Sequence, residues 1–81
     1  MDTETWHVAI TLADDGFDVT AKARFADCAL DLVGLGVVPI GLGEKAGRPA
    51  QALAALRSLE SLAAALGQVA GVARPARDGT P

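Results

Sequence analysis

Nine residues from Phe17 to Phe25 alternate apolar and polar without a break. Only an extended strand, whose side chains point to opposite faces in turn, separates them cleanly. Phe17, Val19, Ala21, Ala23 and Phe25 then share one face, with Asp18, Thr20, Lys22 and Arg24 on the other. Residues 5–13 repeat the pattern, with Trp6, Val8, Ile10 and Leu12 opposed to His7, Ala9, Thr11 and Ala13. Asp14-Asp15-Gly16 between the two stretches is a hairpin signal, because Asp and Gly tolerate positive φ. Residues 26–29 make a second short connection.

The third stretch, residues 30–38, is apolar on both faces. Leu30, Leu32, Gly34, Gly36 and Val38 share one side, and Val33, Leu35 and Val37 form the other. Such a strand needs cover on both sides. Gly34 and Gly36 leave room for a helix or an aromatic ring to approach closely. Pro39 ends the ladder or marks a sheet edge, and residues 39–48 form a Gly-rich loop. A helix follows from about 49, where Pro49 suits the first turn, to 66, with Gly67 as its left-handed cap. At 100° per residue, Ala52, Ala55, Leu56, Leu59, Leu62, Ala63 and Leu66 fall on one arc, the expected buried face.

The order is β-β-β-α: an α+β domain with a three-stranded antiparallel meander and one helix on one face. It occupies residues 5–67, between a disordered N-terminus (1–4) and a flexible C-terminal tail (68–81). The 81 residues hold a single domain. Hydrophobic residues reach 51%, which excludes disorder over most of the length, but aromatics are only 4% and Ala is abundant. The core therefore rests on Leu, Val and Ile with Trp6, Phe17 and Phe25. No apolar run approaches the ~20 residues of a membrane span, and the acidic start lacks the features of a signal peptide. One Cys fits a reducing cytoplasm.

Charge is uneven. Seven carboxylates and two cations in residues 1–43 give −5; five cations and three carboxylates in residues 44–81 give +2, for a net −3. An acidic first half repels a phosphate backbone.

Few residues point to chemistry. Gly41-Leu42-Gly43-Glu44-Lys45-Ala46 matches a dinucleotide fingerprint in letters, but that motif needs a parallel β-α-β unit. His7 is the lone histidine. Cys28 sits beside Asp27, which disfavours a thiolate. Asp14, Asp15 and Asp18 lack calcium-loop spacing and read as a hairpin tip. No Cys/His cluster supports zinc. Neither a catalytic group, a metal nor a cofactor is expected, and the chain reads as non-enzymatic.

The informative residues are Val33, Leu35 and Val37. One helix covers one sheet face, which leaves this row stranded on the other, and contiguous exposed apolar surface marks an interface. A homodimer, or another protein, is the expected partner, through this face or the edge of the third strand, with Leu53 as a lesser contact. The competing arrangement folds residues 68–73 back over the row. An alternative function is nucleic-acid binding through Lys22, Arg24, Arg57 and the tail arginines.

Several segments resemble a small actinobacterial family of unknown function with a fold similar to the double-stranded-RNA-binding domain. They are Trp6-His7-Val8 opening the first strand, the Asp14-Asp15-Gly16 hairpin, Leu32-Val33-Gly34-Leu35-Gly36, and Ala52-Leu53-Ala54-Ala55-Leu56-Arg57-Ser58-Leu59 in the helix. The resemblance spans roughly residues 5–66. It implies a three-stranded sheet with helical cover and cytoplasmic residence in a bacterium; it supplies no activity. True RNA-binding relatives have an N-terminal helix and a Lys-rich helix start. Here that start is Lys45-Ala46-Gly47-Arg48-Pro49, so RNA binding is not carried over. The layout also looks like small bacterial antitoxin domains, though no helix-turn-helix follows.

Overall fold

In a computed structural model the alternating segment Asp18–Ala26 is the central strand, β2. The structure describes residues 2–41 and 46–71. β1 (Ala9–Asp14) and β3 (Asp31–Pro39) flank β2, both antiparallel, in the order β1-β2-β3. One helix, α1 (Arg48–Ala70), packs on one face and completes the β-β-β-α arrangement. Cross-strand partners lie on the same face. Ile10–Ala23–Gly34 and Leu12–Ala21–Gly36 form the inner rows, beneath the helix. Ala9–Arg24–Val33 and Thr11–Lys22–Leu35 form the outer rows.

Aspartate chemistry builds both turns. Asp15 Oδ1 accepts from the N–H groups of Phe17 and Asp18, at 2.9 and 2.8 Å. Asp14 Oδ1 accepts from Gly16 N, and Gly16 takes the positive φ (89°) that the sequence allotted to it. Asp27 Oδ1 does the same work at the second turn, accepting from Ala29 N and Leu30 N. The first strand is shorter than the alternation of residues 5–13 implies. Pairing begins at Ala9, and Trp6 stacks its ring on Phe25 at 4.4 Å between centroids.

The close approach reserved by Gly34 and Gly36 is made by helix backbone. A Cβ at Gly34 would collide with Ser58 O and Leu62 N; one at Gly36 would collide with Ala54 O and Ser58 N. This contact rotates the helix away from the expected orientation. The buried row is Ala54, Ser58 and Leu62, centred on Ser58 rather than on Leu59, so Leu62 is the one member of the expected arc that is fully buried. The difference is one residue, about 100° around the axis. Small side chains are needed at Ala54 and Ser58, where the two backbones come closest, and a Leu at either position would hold them apart. Ser58 satisfies its hydroxyl locally by donating to Ala55 O at 2.7 Å.

The core is correspondingly modest. Val19, Ala21, Val38 and Ala54 form one cluster, and Ala23, Phe25 and Leu62 another. Of the three aromatics expected inside, only Phe25 is buried; Trp6 and Phe17 are more than half exposed. The helix also runs past Gly67 to Ala70, and Gly71 is the left-handed cap (φ 71°). A Gly inside a helix costs roughly 1 kcal/mol but does not stop it. Residues 68–70, assigned to a tail by sequence, are thus the last helical turn; residues 72–81 lie outside the described chain.

Two glycine substitutions test this packing. Gly36→Ala forces a methyl into the backbone of α1, and overpacking of this kind costs about 1–3 kcal/mol. Gly67→Ala, where nothing lies within 4 Å, adds about 0.5–1 kcal/mol of stability. Urea unfolding of the two variants beside the parent measures both; equal midpoints for Gly36→Ala and the parent contradict the close contact.

Candidate interaction surfaces

Arg57 shows how α1 sits over the sheet. Its Nη1 donates to Val37 O on β3 at 2.8 Å. That flank of the helix hangs over the free edge of β3. Ser58, one position on, faces the sheet, and Leu59, one further, turns the opposite way, toward β1. The helix is therefore centred over β3 and β2. On the inner face of β1, Ile10 and Leu12 remain about 40% exposed, and Val8 and Trp6 more so. The Ala52, Leu56, Leu59 and Ala63 flank, expected to be buried, looks out over this uncovered floor, with Leu56 and Leu59 exposed.

The outer sheet face carries the row singled out by sequence. Val33, Leu35 and Val37 are all exposed, Leu35 by 57%. Thr20, Lys22 and Arg24 stand beside them on β2, and Ala9, Thr11 and Ala13 on β1. Leu53 is exposed too, but on the helix and thus on the other layer. The structure brings three of the four proposed interface residues together and leaves Leu53 apart. Residues 68–70 are in the helix, so they do not roof the outer face; residues 72 and 73 lie outside the described chain.

Of the basic residues of the nucleic-acid alternative, Arg24 and Arg57 are engaged, while the tail arginines Arg74 and Arg77 lie outside the described residues. Arg24 grips Asp31 in a fork, Nε to Oδ1 at 2.9 Å and Nη2 to Oδ2 at 2.7 Å. Arg57 lies on the β3 edge, leaving Lys22 on the outer face. Hydrogen bonding from Arg24 holds the Asp31 carboxyl below the usual carboxylate range, and the same bond raises the guanidinium further. Asp15 is also lowered, first by the Asp18 N–H and then by that of Phe17.

Other candidates stay separate. His7 borders a shallow depression with Val8, Ala9, Arg24 and Ala26. Cys28 is a free, exposed thiol in the second turn. The described residues contain no group of three His, Cys, Asp or Glu side chains able to hold a metal, and no helix long and apolar enough to cross a membrane. Residues 42–45 of the dinucleotide-like run lie outside the described chain.

Sequence reasoning missed Trp6, Val8, Ile10, Leu12, Leu56 and Leu59 as surface residues. A signal was present: Gly34 and Gly36 on one strand match Ala54 and Ser58, four apart on the helix. Together they place the helix over β3 and strip cover from β1.

The fold recurs in a solved structure. The crystal structure of Rv2632c, a mycobacterial protein, superposes with a TM-score of 0.76 at 22% identity. The match covers 93% of this chain and 98% of that one, and shows a shared fold. No family model and no curated protein matches the sequence.

The lowered carboxyls give a pH dependence with a fixed sign. Asp15 and Asp31 bind protons more weakly folded than unfolded, so their contribution is complete above the ordinary aspartate range. It is lost as pH falls through their depressed folded values. Denaturant midpoints should hold steady at mildly acidic pH and decline below that range, with a shallower decline in Asp31→Asn. An unchanged acid slope in that variant would show the Arg24 fork to be irrelevant to stability.

Proposed function

We propose that the chain is a non-enzymatic protein-interaction module that works as a homodimer. One observation carries the reading: among the described residues, more large apolar side chains are exposed than buried. Val33, Leu35 and Val37 on the outer face, Trp6 and Val8 ahead of β1, Ile10 and Leu12 on it, and Leu56 and Leu59 on α1 are all exposed. The buried set is smaller, and three of its members are alanines. A domain of this size buries about 60% of its unfolded surface, so a second copy would supply cover the fold cannot.

The polar chemistry fits the same reading. The carboxylates of Asp15 and Asp27 hold turn N–H groups, and Asp31 is paired with Arg24. Arg24 and Arg57, two of the arginines named for nucleic-acid binding, have protein partners. We also read the layout as kin to the double-stranded-RNA-binding fold and to the actinobacterial family named above, without RNA affinity and with cytoplasmic residence.

Light scattering across a dilution series tests the reading. A mass of twice the chain is expected at high concentration, dissociating on dilution. A strict monomer throughout overturns it. Leu35→Glu, on an exposed site, should fold normally, with stability changed by less than about 0.5 kcal/mol.

A further inference from the structure

The two edges of the sheet are not equivalent. In an antiparallel ladder, residues alternate between those whose N–H and C=O face one neighbour and those that face the other. The turns set the phase. Asp15 N donates to Asp18 O, so this pair is hydrogen-bonded. Counting back by twos along the register, Ala13, Thr11 and Ala9 turn their main-chain groups toward β2. Ile10, Leu12 and Asp14 turn theirs to the open edge. On β3, the bonds Asp27 N to Leu30 O and Ile40 N to Phe17 O give the matching phase, with Val33, Leu35 and Val37 outward.

The β3 edge is guarded. Arg57 occupies Val37 O, Pro39 offers no N–H, and α1 lies against the strand. Among the described residues, the β1 edge carries none of the usual protection by lysine, proline or a covering element. Its sequence is Ala-Ile-Thr-Leu-Ala-Asp. Its outward N–H and C=O groups include those of Ile10 and Leu12, whose side chains lie half-covered on the inner face.

We infer that β1 pairs antiparallel with β1 of a second copy, Thr11 facing Thr11 across a two-fold axis, to form one six-stranded sheet. A two-fold axis normal to the sheet keeps both helices on one side, so odd residues oppose odd and even oppose even. With Thr11 on the axis, Ile10 meets Leu12 of the second copy twice over. Ala9 meets Ala13, both small. His7 meets Asp15, so the acidic hairpin tip of each copy lies beside the histidine of the other. In this register Val8 meets Asp14; sliding by two residues sets Asp14 against Trp6, already stacked on Phe25, or against Ile10, and either slide gives up the double Ile10–Leu12 pairing. The joined floor of Val8, Ile10 and Leu12 then runs between two helices whose Leu56 and Leu59 flanks face each other across it. The inference rests on the homodimer reading and supplies its seam.

Cysteine cross-linking reads the seam directly. Non-hydrogen-bonded pairs in antiparallel sheet have Cα atoms about 4.5 Å apart, within disulfide range. In a Cys28→Ser background, Thr11→Cys should form a cross-linked dimer as its main species on mild oxidation. Ala9→Cys and Ala13→Cys should each stay uncrosslinked alone and cross-link when mixed. Thr11→Lys, which sets two ammonium groups together on an exposed face, should weaken association at least tenfold while circular dichroism stays unchanged. If light scattering shows a dimer that Leu35→Glu dissociates, Thr11→Lys leaves intact and Thr11→Cys fails to trap, the β1 seam is wrong and the homodimer stands. A monomer under all conditions removes both.

Discussion

Backbone meets backbone where α1 crosses β3, and the rest of the molecule follows from that contact. Gly34 and Gly36 carry no Cβ, and Ala54 and Ser58 barely extend from the helix. The two elements therefore settle closer than a leucine-lined interface allows. The gain is dispersion contact between densely packed main chains. The cost is that the anchor lies on an edge strand, and the helix is centred there. A helix about 10 Å wide spans little more than two strands spaced ~4.8 Å apart. The third strand, β1, is left partly bare.

This explains why a half-apolar sequence yields so small a core. Leu56 and Leu59 have the hydrophobicity to be buried, and in an isolated helix they would define the buried face. They are displaced because the position directly above β3 is reserved for small side chains. Ile10 and Leu12 sit on the correct, inner face of the sheet, yet the roof does not reach them. Residues that are individually placed as burial demands are thus collectively exposed. The imbalance lies in the offset between two layers, not in the patterning of either.

That offset also marks the limit of what was legible in the sequence. Period-two alternation in residues 17–25, the Asp-rich turns and the pair of glycines in β3 were enough to name the strands, their order and the layer on one face. The exposure of Val33, Leu35 and Val37 follows from the same alternation. The rotation of α1 was not legible from its hydrophobic arc, because an arc records which residues prefer burial and not how close a neighbour will come. Reading the arc against Gly34 and Gly36 would have corrected it. The true end of the helix was obscured for a similar reason: Gly67 is a permissible interior residue when Gly71 waits one turn later to satisfy the last carbonyls. The role of Trp6 was hidden because alternation places a side chain on a face without saying how far the ladder extends.

An edge strand invites pairing, and proteins ordinarily protect it. Among the described residues the protection is one-sided. Arg57, set by helix geometry one position from the buried Ser58, reaches the β3 edge because the helix is centred there. The same displacement that lets an arginine guard β3 withdraws the helix from β1. Protection of one edge and exposure of the other are therefore a single consequence of the glycine contact. Filling the glycines would push the helix outward, loosen the Arg57 guard and change the cover over β1 together. A surface coupled to the core in this way is not an incidental greasy patch: its shape depends on the contact that holds the two layers together. An interface built on β1 would thus be as well specified as the fold itself, since one contact sets both.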